Sequence, residues 1–455
     1  MMRSLALSEL RVPLGGELYG ADCDIQGVST DSRTLRDGDL FVALRGEHFD
    51  GQEYVAQASS FGATAALVRE VVAGSLPQLQ VVDTQRALGL LGAYNRQQYT
   101  GPLVGITGSS GKTTVKNMVN AVLSQRGETL ATEGNFNNEI GVPLTLLRLR
   151  PEVEFAVVEM GAAKAGDIAW LCELACPTVA LLLNAMPAHL EGFGSVEGVA
   201  AAKGEIFDRL VKTDVAVINA DEPWARQWRK RAAAATVLDF SLTQPASVSA
   251  RNIQGMGVRG VSFTASSPAG DMSIRLNLPG AHNVANALAA VAVGLACEIP
   301  LTNIRDGLES LQPSDGRLRS MVSSFGASVI DDCYNANPGS VRAAIDMLAA
   351  CSGRRTLVLG AMAELGQSSR DLHREVGDYA RKAGIEQLWG VGPELQVCVD
   401  AFGAGGRYFE DRAAAQVNIE GQFGEGDAVL VKGSRSTGME LVLYALLPHA
   451  KPQEH

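Results

Sequence analysis

The chain has 455 residues, 46% of them hydrophobic and 20% charged, and its formal net charge is −11. This length exceeds what one hydrophobic core usually organises, so we expect a globular protein of two or three domains. Acidic residues are spread along the chain, which argues against nucleic acid as a partner. An acidic enzyme can still bind an anionic nucleotide through local backbone N–H groups, basic side chains and Mg²⁺.

Residues 1–98 predict a small α/β domain. Short apolar runs (DLFVALRG, ATAALV, LPQLQVV) alternate with helical stretches and end in the helix RALGLLGAYNRQQ. The apolar stretch near the N-terminus is short and is interrupted by Glu9 and Arg11, so a signal peptide is not indicated. Seven cysteines without a C-x-x-C pair fit reduced thiols. We therefore expect a cytoplasmic protein.

The alternation of strand-like and helical segments starts again at Gly101-Pro102, and residues 99–313 predict a second domain. The run LVGITG predicts a strand that leads into a glycine turn and a helix starting near Lys112. This order suits a phosphate-binding loop, in which backbone N–H groups wrap a phosphate, Lys112 reaches the terminal phosphates and the Thr113 hydroxyl binds Mg²⁺. The spacing departs from the common G-x-x-x-x-G-K-[ST] pattern, because Ile106 occupies the first glycine position. The alternative is a chance glycine-rich turn.

Three further apolar runs, EFAVVEMG, TVALLLNA and DVAVINADE, predict buried parallel strands of a doubly wound, mostly parallel sheet. From about Ser247 to Leu278, shorter alternating segments predict antiparallel strands at the sheet edge. A helix beginning at His282 follows. The apolar run from Val284 to Cys297 is shorter than the ~20 residues that a membrane span requires, so we expect a buried helix and no membrane insertion.

Polar residues follow two of these runs. Glu159, after FAVVE, lies where a second Mg²⁺ ligand would sit, although a helix-capping or solvated acid is an equal alternative. His189, in NAMPAHLEGFGS, is by itself more often a packed or hydrogen-bonded histidine than a ligand. Lys203, in AAKGEIF, would ordinarily be a solvated surface lysine.

Turn signals in PSDGR place a linker near residues 312–316, and residues 314–455 predict a third domain. The segments SSFGASVIDDCYNANP, TLVLGAMAELG, QLWGVG and AVLVKGS repeat the strand–helix alternation. This pattern predicts a C-terminal Rossmann-like α/β domain. Ligands bind such sheets beyond the carboxyl ends of the strands.

The order of motifs TGSSGKTT, GNFNNEIGVPLTLL, VVEMGA, NAMPAHLEGFGS, AKGEIF, LPGAHNVANALAA, GRLR, IDDCYNANPGS, LGAMAELG and LVKGSRSTGME resembles the Mur ligase family over nearly the whole chain. GNFNNEIGVP together with DDCYNANP is similar to the D-alanyl-D-alanine-adding member. The resemblance implies a three-domain, ATP-dependent amide-forming ligase of peptidoglycan synthesis. Its substrates would be UDP-N-acetylmuramoyl-tripeptide and D-alanyl-D-alanine. A monomeric enzyme would join them through an acyl phosphate and would release ADP and phosphate.

The resemblance also implies a role for each matching residue. Thr113 and Glu159 would bind one Mg²⁺, and His189 would serve a second together with Lys203, carbamylated by CO₂. The residues implied in catalysis are Lys112, His189, Lys203 and Arg317. Those implied in ATP binding are Gly108, Ser109, Ser110, Gly111, Lys112, Thr113, Thr114, His282, Asn283, Asn286, Arg317 and Asp332. For Asn283 the alternative is helix capping.

Substrate contacts are implied in all three domains. The alternative is an ordinary strand between polar turns for the first-domain segment, and a turn followed by a helix for residues 335–338. The segment implied for the UDP group contains Ser29, Thr30, Asp31, Ser32, Arg33, Gly46, His48 and Asp50. The residues implied for the muramoyl peptide are Asn135, Asn137 and Asn138. The third-domain substrate residues are Asn335, Asn337 and Lys432, with Lys432 near the incoming dipeptide.

Three other functions are compatible with the glycine loop. A folylpolyglutamate synthase or another Mur ligase would share the ATP loop and bind a different acceptor. A P-loop small-molecule kinase would release ADP with a stable phosphorylated product. A non-enzymatic nucleotide switch would bind ATP without amine-dependent turnover.

Overall fold

The computed structural model describes residues 4–46, 48–74, 76–419 and 421–447. The ends of the first and third predicted domains, residues 1–3 and 448–455, lie outside these ranges. The described residues form α/β structure built on mostly parallel sheets, as the apolar runs predict.

The first sheet has the strand order β2-β7-β6-β5-β4 and is parallel from β4 to β7, with β2 antiparallel at one edge. Its strands, with the small pair β1 and β3, are β1 Leu5–Ala6, β2 Glu17–Tyr19, β3 Asp24–Ile25, β4 Gly27–Ser29, β5 Asp39–Val42, β6 Ala63–Val68 and β7 Gln78–Gln80. The helices are α1 Arg11–Leu14, α2 Val55–Ala58 and α3 Thr84–Arg96.

The central sheet has the order β16-β15-β14-β13-β12-β11-β8-β10-β9, parallel from β9 to β14, and its β14–β16 edge is antiparallel, as predicted. The strands are β8 Leu103–Thr107, β9 Thr129–Ala131, β10 Phe155–Glu159, β11 Val179–Leu182, β12 Val215–Asn219, β13 Thr236–Ser241, β14 Val248–Gly255, β15 Val261–Ser267 and β16 Gly270–Leu276. The helices are α4 Lys112–Leu123, α5 Gly141–Leu146, α6 Asp167–Ala175, α7 Leu190–Phe193, α8 Val196–Lys203, α9 Ala225–Arg231, α10 Ala281–Ala296 and α11 Leu301–Ser310.

Both faces of the central sheet are buried, which explains the continuous apolar runs of its strands. Alternate residues of β8 point to opposite faces, so Val104 and Ile106 pack with α4 and α10 on one face. Leu103 packs with α5 and α6 on the other face. The apolar run predicted to be a buried helix is α10, whose residues from Val284 to Val293 are largely buried. No helix of the described residues is long and apolar enough to cross a membrane.

The third sheet has the order β17-β18-β22-β19-β20-β21 and is parallel apart from β17. Its strands are β17 Arg319–Val322, β18 Ser328–Asp332, β19 Arg355–Gly360, β20 Gln387–Val391, β21 Gly406–Phe409 and β22 Ala428–Lys432. The helices are α12 Pro338–Ala349, α13 Ser369–Lys382, α14 Gln396–Phe402, α15 Arg412–Val417 and α16 Glu440–Leu446. Two apolar clusters cover its faces.

Helix α3 fixes the first sheet to the central one. The buried Asn95 side chain donates to the carbonyls of Leu146 and Leu149, at 2.8 and 3.0 Å. The Arg96 guanidinium donates to the carbonyl of Ala175, which ends α6, at 2.7 Å. These bonds satisfy carbonyls at and just beyond helix ends and join α3 to the central layer.

Candidate active site

A cavity of about 880 Å³ lies between the central and third sheets. It faces the carboxyl ends of β8, β10 and β11 on one side and of β18 and β22 on the other. The predicted site residues that line it are Ser109, Ser110, Gly111, Lys112, Thr113, Thr114, Asn135, Asn137, Asn138, Glu159, His189, His282, Asn283, Asn286, Arg317, Asp332, Asn335, Asn337 and Lys432. Two sequence-distant halves of the predicted site therefore meet in one space.

The glycine loop joins β8 to α4, as predicted. Gly111, the residue before α4, has φ +82°, and a Cβ there would lie 2.9 Å from the Asn286 side chain. A glycine is needed at this position for both reasons. The Lys112 ammonium donates to the Gly108 carbonyl at 2.8 Å, and burial lowers its pKa. Backbone N–H groups and a cation at a helix N-terminus make this loop a site for phosphate.

Asn184, which the sequence reasoning did not single out, shapes the glycine loop. Its side-chain oxygen accepts the N–H of Ser110 at 2.9 Å, and its amide donates to the Ser110 carbonyl at 3.1 Å. Its own carbonyl accepts the N–H of Ser109. The available signal was the position of an asparagine just after a buried strand, β11, at the ligand-binding edge of the sheet.

Thr113 and Glu159 form one polar cluster at the ends of α4 and β10. The Thr113 hydroxyl donates to the Glu159 carboxylate at 2.9 Å, and Asn137 donates to its other oxygen at 2.8 Å. Glu159 is only 2% exposed. A hydroxyl and a carboxylate are oxygen ligands that suit Mg²⁺, which usually binds one or two carboxylates together with phosphate oxygens. The donor set therefore fits a nucleotide-bound Mg²⁺.

Lys203 is buried at the end of α8, contrary to the ordinary expectation of a solvated lysine. Its ammonium lies 5.8 Å from the Phe193 ring centroid. Burial, reinforced by the positive charge of Lys112, holds its pKa well below the usual value. A lysine in this setting favours the neutral amine. Lys203 does not itself line the cavity, and neither does Gly108.

His189 precedes α7 as its N-cap residue and has a left-handed backbone, with φ +51°. Its Nδ1 atom lies 2.7 Å from a carboxylate oxygen of Glu364, which belongs to the third-domain segment after β19. Burial lowers the pKa of His189, Glu364 raises it, and the charges of Lys203 and Lys112 lower it. The predicted metal residue is therefore within range of the charges of both lysines and in contact with the facing domain.

The start of α10 contributes His282, Asn283 and Asn286. Burial and the charge of Lys432 lower the pKa of His282 to about 4, so its ring is neutral at pH 7. Asn283 is buried and donates to the Pro279 carbonyl at 2.7 Å, while its oxygen accepts from Asn286 at 3.0 Å. The residue at the helix N-cap is Gly280, so the alternative of capping by Asn283 was wrong.

Asp332 and Lys432 end the adjacent strands β18 and β22 and form a buried ion pair, 2.6 Å between Nζ and Oδ2. Lys432 also donates to the Asn335 carbonyl at 2.8 Å. The Arg317 guanidinium stacks on the Tyr334 ring, 4.0 Å from its centroid. Tyr334 was not predicted. This stacking leaves Arg317 at the cavity wall, opposite Lys112.

Two of the predicted asparagines also stabilise helix starts. The Asn337 side chain accepts the N–H of Ser340 at 2.8 Å and caps α12, whose first residue is Pro338. Asn138 accepts the N–H of Gly141 at 2.9 Å, at the start of α5. The turn and helix predicted after Asn335 are therefore present. Both asparagines line the cavity as well, so capping and ligand contact are compatible.

Glu222, which was not predicted, lines the cavity beyond β12. Its carboxylate accepts the N–H of Ala185 at 3.0 Å. Burial raises the pKa of Glu222 to about 7. The available sequence signal was the position of Glu222 in NADEP, just after a buried strand. Two acids stand side by side there, and the sequence does not show which of them faces the cavity.

The predicted UDP-binding residues lie at the carboxyl ends of β4 and β5, outside the residues that line the cavity. Asp31 accepts the N–H and the guanidinium of Arg33, which lowers the pKa of Asp31 to about 2. Asp50 caps the following turn and pairs with Arg69 at 2.6 Å. The residues that share this edge of the first sheet are Ser29, Thr30, Asp31, Ser32, Arg33, Gly46, His48 and Asp50.

Three family models match successive parts of the chain. The Mur ligase family catalytic domain matches residues 24–95, the Mur ligase middle domain residues 106–294, and the Mur ligase glutamate ligase domain residues 316–435. The UDP-N-acetylmuramoyl-tripeptide--D-alanyl-D-alanine ligase of Escherichia coli (strain K12) is 45% identical over 448 residues, covering 98% of this chain and 99% of that protein.

Solved structures agree with the sequence relatives. MurF from Acinetobacter baumannii superposes with a TM-score of 0.93 at 35% identity, covering 98% of this chain and 99% of that one. The MurF ligase of Thermotoga maritima in complex with ADP has a TM-score of 0.83 at 27% identity, covering 92% and 97%.

Proposed function

The chain belongs to the Mur ligase family, and from this membership we infer that it joins D-alanyl-D-alanine to UDP-N-acetylmuramoyl-tripeptide with ATP in peptidoglycan synthesis. It is an ATP-dependent amide-forming ligase. The observation that carries the inference is a relative of this activity with 45% identity over nearly the whole length of both chains. The phosphate-binding loop and the facing third-domain residues in one cavity support it.

A carboxylate in water does not react with an amine to form an amide, so the reaction requires that the carboxylate be activated. The terminal carboxylate of the tripeptide attacks the γ-phosphorus of ATP, and ADP leaves, which forms an acyl phosphate. The dipeptide amine then attacks the acyl carbon, and phosphate leaves as the amide forms. Lys112 on one wall and Arg317 on the other can neutralise the transferring phosphoryl group from two sides.

Mg²⁺, when bound, supplies charge neutralisation and alignment of the nucleotide phosphates. Thr113 and Glu159 would hold it, since both are oxygen donors already oriented towards each other by their 2.9 Å hydrogen bond. Asn137 orients the second carboxylate oxygen. The chain itself therefore fixes the donors before nucleotide binds.

We place a second Mg²⁺ beside His189 and Lys203, with Lys203 as a carbamate formed with CO₂. The support is chemical: a buried lysine with a strongly lowered pKa is a neutral nucleophile, and its carbamate presents anionic oxygens to a hard cation. Intact-protein mass spectrometry under native conditions, with and without bicarbonate, tests the carbamate. Loss of the added mass in Lys203→Met would locate it.

For the substrate contacts we propose three sites. The first-sheet edge at Asp31 and Asp50 receives the UDP group, Asn135 with its neighbours faces the muramoyl peptide, and Lys432 lies near the dipeptide. The corresponding domains are residues 1–98, 99–313 and 314–455. We propose a monomer, and light scattering would test it. We place the enzyme in the cytoplasm, where ATP and reduced thiols are found.

Phosphate release tests the function. The enzyme is incubated with ATP, Mg²⁺ and UDP-N-acetylmuramoyl-tripeptide, with and without D-alanyl-D-alanine, and the product is weighed. Dipeptide-dependent phosphate and a product heavier by one dipeptide less water are expected. A stable phosphorylated product would indicate a kinase, and turnover with a different acceptor would indicate another member of the fold. ATP binding without amine-dependent turnover would indicate a nucleotide switch.

A further inference from the structure

One segment of the central domain forms the seam against which the third domain packs. It runs from residue 186 to residue 191. A Cβ on Gly339 would contact the Met186 sulfur, and one on Gly366 would lie 3.2 Å from the Glu191 side chain. Between these contacts, Nδ1 of His189 meets the Glu364 carboxylate at 2.7 Å. The His189–Glu364 pair is thus the polar contact at the centre of an interdomain seam.

Both residues of this pair have left-handed backbones, with φ +51° at His189 and +63° at Glu364. Non-glycine residues adopt this conformation at a cost, so the surrounding structure must impose it. An ion pair between partly exposed side chains stabilises a protein little by itself, so it does not explain why both residues adopt a costly backbone conformation. Strain on both sides of one contact therefore points to a functional constraint.

The third domain braces the Glu364 loop from two sides. The fully buried His373 accepts the N–H of Met362 at 3.0 Å, and Ser434 accepts the N–H of Ala363 at 2.8 Å. Leu365, the residue after Glu364, is 2% exposed. The backbone next to Glu364 is therefore held in place, and the Glu364 carboxylate faces His189 across the seam.

The contact has a chemical consequence for the imidazole. An ionised carboxylate only accepts hydrogen bonds, so a hydrogen bond across this 2.7 Å contact requires the proton on Nδ1. A neutral ring that donates from Nδ1 keeps Nε2 unprotonated and free to act as a ligand. A carboxylate that fixes a ligating histidine in this way sets its tautomer and ring orientation.

We propose that Glu364 is a positioning residue that selects the Nδ1–H tautomer of His189 across the domain boundary, so that Nε2 is competent only when the third domain is docked. The proposal rests on the proposed function for its catalytic meaning. The 2.7 Å contact between Nδ1 and the carboxylate, the braced loop and the seam support it independently of the reaction. It couples domain closure to assembly of the site through one side chain.

Nitrogen-15 NMR of histidine-labelled full-length enzyme tests the tautomer without turnover. The chain has six histidines, and His189→Gln identifies the signal. In the wild type with a non-hydrolysable ATP analogue we expect Nδ1 protonated and Nε2 bare. Glu364→Ala should shift the ring towards the Nε2–H form, and Glu364→Gln should retain the wild-type form because its carbonyl still accepts from Nδ1. An Nε2–H signal in the wild type, or no change in Glu364→Ala, would overturn the proposal.

Activity supplies the second readout. Glu364→Ala should lower kcat by about 10- to 100-fold and raise the Mg²⁺ concentration for half-maximal rate, as loss of such partners commonly does. Glu364→Gln should recover most of the activity. Glu191→Ala removes an exposed acid from the same seam, without a bond to His189, and should match the wild type. Equal activity of Glu364→Ala and the wild type refutes the positioning role. Absence of dipeptide-dependent turnover in the wild type refutes the proposed function. In that case the NMR result alone tests whether Glu364 sets the tautomer of His189.

Discussion

Replacement of Glu222 by glutamine tests whether the cavity holds a carboxyl group that is costly to ionise. Burial raises the pKa of Glu222 from 4.5 to about 7. The folded protein therefore binds this proton more tightly than the unfolded chain does. The resulting stabilisation is complete below pH 4.5 and is lost as the pH rises through about 7. Glutamine can still accept the N–H of Ala185 but never ionises.

The size of the change in stability follows from the difference between the pKa values of Glu222 in the unfolded and folded protein. A change from 4.5 to about 7 corresponds to about 3 kcal/mol, and the partial exposure of Glu222 reduces this to about 2 kcal/mol. The stability of Glu222→Gln relative to the wild type should therefore rise by about 2 kcal/mol between pH 4.5 and pH 8. In a folding unit of roughly 200 residues this equals about 4 to 8 °C in Tm.

Differential scanning calorimetry of both proteins from pH 4 to pH 8 measures this change in the transition that contains the central sheet. Glu410→Gln, which removes an exposed carboxylate from the third domain, is the matched control and should show no such trend. A stability difference between Glu222→Gln and the wild type that stays constant over this pH range would refute the reasoning.

Three further substitutions separate catalytic from structural roles. Lys112→Met should lower dipeptide-dependent phosphate release by about 100- to 1,000-fold, and near-normal release would exclude a role at the phosphates. Lys203→Met should abolish turnover yet raise Tm at pH 7 in bicarbonate-free buffer, where Lys203 carries no carbamate, because the unfolded lysine is protonated there and the buried one resists protonation. This gain in Tm should vanish above the normal lysine pKa, and a lower Tm at pH 7 would contradict it. Lys432→Met should destabilise the third domain by about 3 to 5 kcal/mol, since it leaves the Asp332 charge buried and unpaired. Adding Asp332→Asn should restore much of that loss, and denaturant unfolding measures both.

Much of the fold follows from local pattern. Apolar runs such as those of β8, β10 and β11 are long enough for strands and too apolar for half-exposed ones, so they predict a sheet covered on both faces. A glycine turn between such a strand and a helix that starts with Lys112 predicts a phosphate site. These features depend on neighbouring residues, and a single sequence displays them directly.

The tertiary structure decided which residues act together. Lys203 resembles a surface lysine in the sequence, but the packing of α8 buries it and lowers its pKa. Asn184 shapes the glycine loop from a separate strand, and Glu364 reaches His189 from another domain. No periodicity relates positions so far apart along the chain.

What the sequence by itself determined was the order of strands, helices and chemically able side chains, because backbone preference and burial pattern act over short stretches. What only the tertiary structure decided was the environment of each side chain. Burial, a facing charge or a hydrogen bond from another domain sets whether Lys203 is protonated, which nitrogen of His189 carries the proton and where Arg317 points. These are properties of three-dimensional proximity, and the free energy that governs them arises only once the sheets have packed.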